Sequence, residues 1–132
     1  MEIQTMKSQK HKFNVNRISS AKWIKGLRKE FEYRDLGIKN ATENEFTAHV
    51  IRMAGTELKK PTGNHSHITD FQMFYVLEGN ATFYFEGEGE ISVSKGDCYY
   101  QPDGLVHDAL YMSKDCEILE IATPAEFETK EI

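Results

Sequence analysis

Short runs rich in aromatic and β-branched residues follow one another along most of this chain, separated by glycine, asparagine and proline. Such residues favour strands, and closely spaced turn signals between the runs favour antiparallel pairing. About eight short strands with tight turns are typical of an antiparallel sandwich or barrel. We therefore predict a single domain, with an arm and a short helix in residues 1–30 and an all-β unit in residues 31–132. The runs are 31–36, 46–53, 71–77, 81–86, 90–94, 97–101, 107–112 and 116–122.

The N-terminal arm has a different pattern from the rest of the chain. Its first half is polar and shows no periodicity, which is typical of a loose segment or an edge strand. Trp23, Leu27 and Phe31 then recur four residues apart, with Ser20 in position to cap a first helical turn. Gly26 opposes a helix here. The apolar spacing nevertheless predicts a short amphipathic helix near the N-terminus, between residues 20 and 31.

Length and cysteine content indicate a small intracellular protein. The 132 residues fit one domain with its own core. No apolar run approaches the roughly 18 residues that a membrane-spanning helix needs, and the N-terminus lacks the apolar region of a secretory signal. Cys98 and Cys116 are too few for a disulfide framework, so we interpret them as reduced thiols. We expect a cytoplasmic protein that does not bind membranes.

Charge is distributed unevenly along the chain. Residues 1–29 contain eight Lys or Arg and one Glu, a net charge of +7, whereas residues 30–132 contain eight basic and twenty acidic residues, a net charge of −12. A basic arm of this kind is compatible with nucleic-acid binding. It is equally compatible with packing on the acidic barrel of the same chain or of a partner subunit. Because no arginine-rich stripe or aromatic platform accompanies the arm, we expect no nucleic-acid partner.

Three histidines and a glutamine are candidates for a metal site. His65 and His67 are two residues apart, so on an extended strand their rings lie on the same face. Gln72 follows in the next strand segment, and His107 comes after a Pro-Asp-Gly turn. Three neutral imidazoles with one oxygen donor suit a divalent first-row transition metal, although a single buried histidine is more often a packed, hydrogen-bonded residue. We predict a site for Fe, Mn, Ni, Co or Zn and leave the metal's identity open.

Two ordered motifs contain these residues. The first runs from His65 to Gly79 and reads H-S-H, four residues, Gln, six residues, Gly. The second runs from Gly96 to Tyr111 and reads Gly, five residues, P-D-G, two residues, His, three residues, Tyr. Both resemble the motifs of the cupin superfamily, H-x-H-x(3,4)-E-x6-G and G-x5-P-x-G-x2-H-x3-N. The resemblance covers about residues 45–125 and implies a cupin-type antiparallel β-barrel (jelly roll) whose motifs, within residues 63–111, bind a metal.

Gln72 stands where the cupin motif usually has a glutamate. A carboxylate would bring a negative charge to the metal, whereas an amide oxygen brings none. The predicted site is therefore a stronger Lewis acid and binds hard cations less avidly. Gln72 also cannot act as a general base. Such glutamine-containing sites are similar to those of some isomerases and cyclases as well as oxygenases; the alternative is a degenerate site that no longer binds metal.

Tyr111 and His49 are the candidate catalytic residues. If His107 faces the interior, strand alternation also places Tyr111 there, where its phenol would face a substrate or a metal-bound water. The alternative is that Tyr111 only fills the barrel. His49 lies in the run 46–53, where strand alternation allows its side chain to face the barrel interior and relay protons there. An exposed or hydrogen-bonded strand position is its alternative.

The remaining interior positions predict an apolar pocket. Strand alternation places Gln72, Phe74 and Val76 on one inner face, and tyrosines add rings with hydroxyl tips. Such a pocket suits a small organic molecule that donates one or two oxygens to a metal. The candidate tyrosines are Tyr84, Tyr99 or Tyr100, and Tyr111.

Three functions remain compatible with these features. The first is a dioxygenase acting on a metal-chelating organic substrate. The second is a non-redox isomerase, cyclase or lyase in which the ion polarises a carbonyl, which the uncharged Gln72 favours slightly. The third is a non-catalytic module that binds or senses a small ligand. Since cupin relatives often pair through edge strands, the resemblance also implies a homodimer.

Overall fold

The structure is a computed structural model that describes residues 10–26 and 28–132. The described chain is almost entirely β, as expected from its aromatic and β-branched runs. One short α-helix, α1 (Ile38–Ala41), and a 3₁₀ turn at Ile18–Ser20 are the helical segments among these residues. The strands are β1 (Ile24–Lys25), β2 (Phe31–Asp35), β3 (Thr47–Met53), β4 (His65–His67), β5 (Phe71–Glu78), β6 (Asn80–Phe85), β7 (Gly89–Ser94), β8 (Cys98–Tyr100), β9 (His107–Met112), β10 (Glu117–Thr123) and β11 (Thr129–Glu131).

The strands form two antiparallel sheets. One has six strands in the order β1-β2-β3-β10-β5-β8, and the other has five in the order β11-β4-β9-β6-β7. Strands distant in sequence pair within each sheet, as β3 does with β10 and β6 with β9. This arrangement confirms the predicted all-β, cupin-type jelly roll.

The hydrophobic core lies between the two sheets. Strands β5 and β6 alternate between buried and more exposed side chains, as half-buried strands do. Phe74 and Val76 from the six-stranded sheet join Ala81, Phe83 and Phe85 from the five-stranded sheet in one buried cluster. Removing this apolar area from water is the main force that holds the sheets face to face. No helix among the described residues has the length and apolar character needed to cross a membrane.

The helix predicted between residues 20 and 31 is wrong. Residues Ile24–Lys25 instead form β1, which pairs with β2 so that Ile24 lies opposite Tyr33. Gly26 donates its N–H to the carbonyl of Phe31 and closes a tight hairpin. A Cβ at Gly26 would clash with the ring of Tyr33, which would have to move, so this position favours glycine. The hairpin overrides the four-residue apolar spacing; Leu27, one of the three residues that set that spacing, lies outside the described residues.

Trp23 attaches the segment before β1 to the sheet through its ring. The Arg52 guanidinium lies 3.7 Å from the centroid of the Trp23 ring, a cation–π contact. Arg52 also donates from Nε to Glu32 Oε1 at 2.9 Å. These contacts attach the segment before β1 to strands β2 and β3. The sheet therefore begins at Ile24, within the stretch predicted to be the arm.

Candidate metal centre

Three imidazole rings meet at one end of the space between the sheets. His65 and His67 lie on β4, and His107 begins β9 directly opposite His65 in the strand register. The ring centroids of His65 and His107 are 4.2 Å apart, those of His67 and His107 are 5.0 Å apart, and those of His65 and His67 are 5.1 Å apart. One ring nitrogen from each lies within 4.8 Å of the other two. The three predicted histidines therefore converge.

Each of the three rings is anchored by a hydrogen bond at its Nδ1 atom. His65 Nδ1 lies 2.8 Å from the carbonyl oxygen of Gly63, and His107 Nδ1 lies 3.0 Å from that of Leu105. A carbonyl only accepts, so both Nδ1 atoms carry the proton and Nε2 keeps its lone pair. His67 Nδ1 lies 2.8 Å from Thr129 Oγ1, a hydroxyl that can donate or accept, so this bond anchors the ring without setting its tautomer. Anchoring of this kind is typical of metal-binding histidines.

The environment of His67 and His107 lowers the pKa of both rings. Burial, followed by the neighbouring His107 and His65, lowers the pKa of His67 to about 4. Burial also lowers the pKa of His107, although its bond to the Leu105 carbonyl opposes the shift. A metal binds the neutral imidazole, so these rings do not need to lose a proton first. The donor set therefore fits a divalent transition metal.

The loop before β4 is held in place by an aspartate of the opposing strand. Asp108 Oδ1 accepts from the Thr62 hydroxyl at 3.0 Å and from the Gly63 N–H at 2.9 Å. Asp103 in turn accepts from the Thr69 N–H at 2.9 Å, just after β4. Both ends of β4 are thereby attached to the segment that carries His107.

Gln72 is buried and makes one hydrogen bond at each of its two side-chain polar atoms. Its exposed fraction is 1%. Gln72 Nε2 donates to Glu120 Oε2 at 2.6 Å, and Gln72 Oε1 accepts from Gln101 Nε2 at 3.0 Å. Gln101 Nε2 is itself 3.4 Å from His107 Nε2. The oxygen of Gln72 thus faces Gln101, which contacts His107, and its nitrogen faces Glu120.

Glu120 and His49 form a buried pair beyond Gln72. His49 Nε2 lies 2.6 Å from Glu120 Oε1, and the two residues are direct cross-strand partners. Burial raises the pKa of the Glu120 carboxyl, but hydrogen bonds and charge from His49, with a further bond from Gln72, outweigh it, so the net pKa is lowered. His49 therefore faces the interior of the six-stranded sheet and contacts Glu120. The cavity beside the histidines does not include it.

A cavity of about 310 Å³ opens beside the three histidines. Most of its wall is apolar, and the polar side chains that also line it are those of Arg28, Thr62, Gln101, Thr129, Glu131 and the three histidines. Burial, followed by the charge of Glu120, raises the pKa of Tyr99 well above its ordinary value, so this phenol stays protonated. The apolar and aromatic residues of the wall include Phe31, Ile51, Phe74, Phe83, Tyr99, Met112 and Ile118.

The predicted inward orientation of Tyr111 is wrong. The pairing of β9 with β6 shifts between Ala109 and Tyr111, so that Tyr111 pairs with Thr82 although Ala109 pairs with Phe83. The irregularity inserts one residue and reverses the alternation. Met112 consequently lines the cavity, whereas the Tyr111 hydroxyl donates to Glu57 Oε2 at 3.1 Å outside it.

Two residues of this region were not predicted from the sequence. Gln101 precedes the proline of the second motif, and its backbone N–H donates to the carbonyl of Gln72, which brings the two side chains together. Glu120 shares one face of β10 with Ile118 and Ala122, and all three are buried. A charged residue at an inward position of an apolar strand was a usable signal for Glu120. Nothing in the local sequence marked Gln101.

Solved structures of known proteins share this fold. The polyketide cyclase RemF from Streptomyces resistomycificus matches with a TM-score of 0.69 at 19% identity, over 91% of this chain and 85% of that one. A predicted oxalate decarboxylase from Thermotoga maritima matches with a TM-score of 0.62 at 24% identity, over 83% and 97% of the two chains. The protein KdgF from a Halomonas species matches with a TM-score of 0.64 at 18% identity, over 86% and 96%.

Sequence comparison identifies a family. A search of curated proteins gives no match for this chain. The family profile described as "Cupin domain" matches residues 49–122, which is more than half of the chain and contains the three histidines. Together with the two-sheet fold and the histidine centre, this match shows that the chain belongs to the cupin family.

Proposed function

We propose that this protein is a metal-dependent enzyme of dioxygenase type that acts on a small, metal-chelating organic substrate. One observation carries the proposal: three converging, anchored imidazoles line a mostly apolar cavity of about 310 Å³. A divalent transition metal held by His65, His67 and His107 would supply Lewis acidity and, if redox-active, oxygen chemistry. Gln72 is proposed as a fourth ligand through Oε1, whose second lone pair is free for this role.

The residues around the centre have distinct roles in this proposal. The apolar wall excludes water and binds the carbon skeleton of the substrate. Tyr99, protonated at neutral pH, is available as a hydrogen-bond donor from the wall. Because the three histidines occupy one side only, the side facing the cavity is left for substrate oxygens. A catechol, enol or dicarbonyl compound of modest size fits this description.

A non-redox cyclase or isomerase is the second candidate, and the charge of the site favours it. None of the three histidines, nor Gln72, carries a negative charge, which makes a bound ion a stronger Lewis acid for a carbonyl. Glu120, the carboxylate bonded to Gln72, contacts Gln72 and His49 and does not line the cavity, although Glu131 does. The polyketide cyclase among the structures of similar fold is consistent with such chemistry.

Metal content and oxygen uptake test the proposal. Protein purified without chelator is expected to hold about one metal ion per chain, and His107→Ala is expected to lose it, while His11→Ala, a control in the arm, keeps it. Iron-loaded protein should consume oxygen with a catechol or dicarbonyl substrate. Substrate turnover with zinc and without oxygen would favour the non-redox candidate. Ligand binding without turnover by any metal-loaded form would favour a sensing module, and absence of metal binding would refute all metal-dependent functions.

We also propose that the protein is a cytoplasmic homodimer. Its cysteines are unpaired thiols, and Cys98 is exposed, which suits a reducing compartment. Large apolar side chains of the N-terminal segment are exposed, among them Phe13 at 93%, Ile18 at 71% and Ile24 at 65%. A second copy of the chain would cover them and pair with the short edge strand β1. Analytical ultracentrifugation should give twice the mass of 15.2 kDa, and Phe13→Ser should weaken the dimer. A monomer at micromolar concentration would overturn this proposal.

A further inference from the structure

Gln101 is a buried polar residue of the cavity wall, close to His107, whose side-chain role neither motif explains. Its side chain is 2% exposed, yet it borders the cavity. Its Nε2 is 3.0 Å from Gln72 Oε1 and 3.4 Å from His107 Nε2. The amide nitrogen therefore lies between the buried glutamine and the ring nitrogens of the centre.

A chain of hydrogen bonds sets the direction of this amide. The Glu120 carboxylate has no hydrogen to donate, and it accepts from His49 on Oε1 and from Gln72 on Oε2. Gln72 must therefore present its NH₂ to Glu120 and its oxygen to Gln101. That oxygen can only accept, so Gln101 must present its NH₂. Reversing either amide would place two acceptors, or two donors, against each other.

The second N–H of Gln101 is then the one next to the centre. One hydrogen of Nε2 bonds to Gln72 Oε1, and the other lies toward His107 Nε2, where the contact is long for a hydrogen bond. An amide nitrogen with two hydrogens is not a metal ligand, but it is a good donor to an oxygen that carries negative charge.

We propose that Gln101 contacts the substrate and donates this N–H to an anionic oxygen bound beside the three histidines. Glu120 and Gln72 are positioning residues that hold the amide in the donating direction. The inference rests on the proposed metal site and narrows its substrates. It predicts enolates, phenolates and hydroxamates, whose ligating oxygen accepts a hydrogen bond, in preference to ligands with no acceptor at that atom.

Cobalt-loaded protein allows a test that does not depend on turnover. Acetohydroxamate and imidazole are titrated separately and followed by the visible spectrum of the cobalt. In Gln101→Leu we expect one cobalt per chain, unchanged imidazole affinity, and acetohydroxamate affinity reduced by about 10- to 100-fold, the range for a lost bond to a charged group. Glu120→Gln, which frees Gln72 to rotate, should also reduce the affinity for acetohydroxamate relative to that for imidazole, but by less than Gln101→Leu does. A merely structural role of Glu120 would not change this relative affinity.

A second measurement covers the case in which the variants do not fold. In zinc-loaded wild-type protein, the side-chain amide proton signals of Gln101 should move downfield on addition of acetohydroxamate. Unchanged signals with the hydroxamate bound, or equal hydroxamate affinity in Gln101→Leu, would overturn this inference and leave the proposed metal site intact. Failure of wild-type protein to bind cobalt or zinc would overturn both.

Discussion

Acidification should destabilise the metal-free protein through His67. The fold lowers the pKa of this half-buried ring to about 4, mainly by burial and then through His107 and His65, whereas its ordinary value is 6.5. Between these values the unfolded chain binds a proton that the folded chain does not. The free energy of unfolding therefore falls as the pH falls through this window and is restored above about pH 6.5.

The size of the effect follows from the two pKa values. Between pH 7 and pH 5 they give a loss of about 2 kcal/mol from His67. Because the ring is only half-buried, solvent screening reduces this to about 1 kcal/mol. His107, whose pKa is also lowered, first by burial, adds to the loss in the same direction.

Urea unfolding of chelator-treated protein at pH 7 and pH 5 measures this difference. The His67→Asn variant serves as the matched comparison, because every other titrating group is shared and the variant lacks only the ring. Its loss of stability between the two pH values should be smaller than that of the wild type by about 1 kcal/mol. Equal losses in the two proteins, or greater stability of the wild type at pH 5, would refute the assignment of a neutral, buried imidazole at this position.

Two further predictions follow from backbone geometry and from thiol burial. Gly79 has a φ of +73°, and a Cβ there would lie 2.8 Å from the backbone Cα of Cys116, whereas Gly87, with a φ of +87°, has open space. In thermal or urea unfolding, Gly87→Ala should cost about 1 kcal/mol and Gly79→Ala at least about 1 kcal/mol more, and equal costs would contradict the packing around Gly79. Iodoacetamide should add a single label to the native protein, at exposed Cys98, since Cys116 is buried and burial, followed by Asp115 and Glu117, raises its pKa to about 12. Two labels before unfolding, by mass spectrometry, would contradict this burial.

The strands could be predicted because the residue patterns that indicate them are short and continuous in the sequence. The run 71–77 corresponds to β5 (Phe71–Glu78), and strand alternation correctly buried Gln72, Phe74 and Val76. The convergence of His65 and His67 needed only the two-residue period of a strand. His107 was assigned to the same centre through motif spacing, which the direct pairing of His65 with His107 confirms.

The two wrong predictions, the orientation of Tyr111 and the helix around Gly26, lie where a single residue interrupts the regular residue pattern. At Tyr111, the alternation counted from His107 was correct as far as Ala109 and failed at the shift in the β6–β9 register. At Gly26, a hairpin closed by the Gly26 N–H and the Phe31 carbonyl replaced the predicted helix. Bulges and tight hairpins depend on pairing with a distant strand or on one close contact, and neither is encoded in residue spacing.

In the usual cupin motif, a carboxylate stands at the position of Gln72. Here a buried carboxylate, that of Glu120, bonds to Gln72 instead. With Gln72 in place of glutamate, the first side chain behind the histidines is neutral, and the buried carboxylate is Glu120, bonded to the nitrogen of that same amide. Glu120 is held in its ionised form by His49 rather than by a metal. The Gln72 amide brings no charge to the centre. Because its NH₂ bonds to Glu120, it can present only its oxygen toward Gln101. In the proposed site, the same substitution would weaken attraction for hard cations and orient a donor toward the cavity, a polarity that would favour substrates with an anionic oxygen over other ligands of the same size.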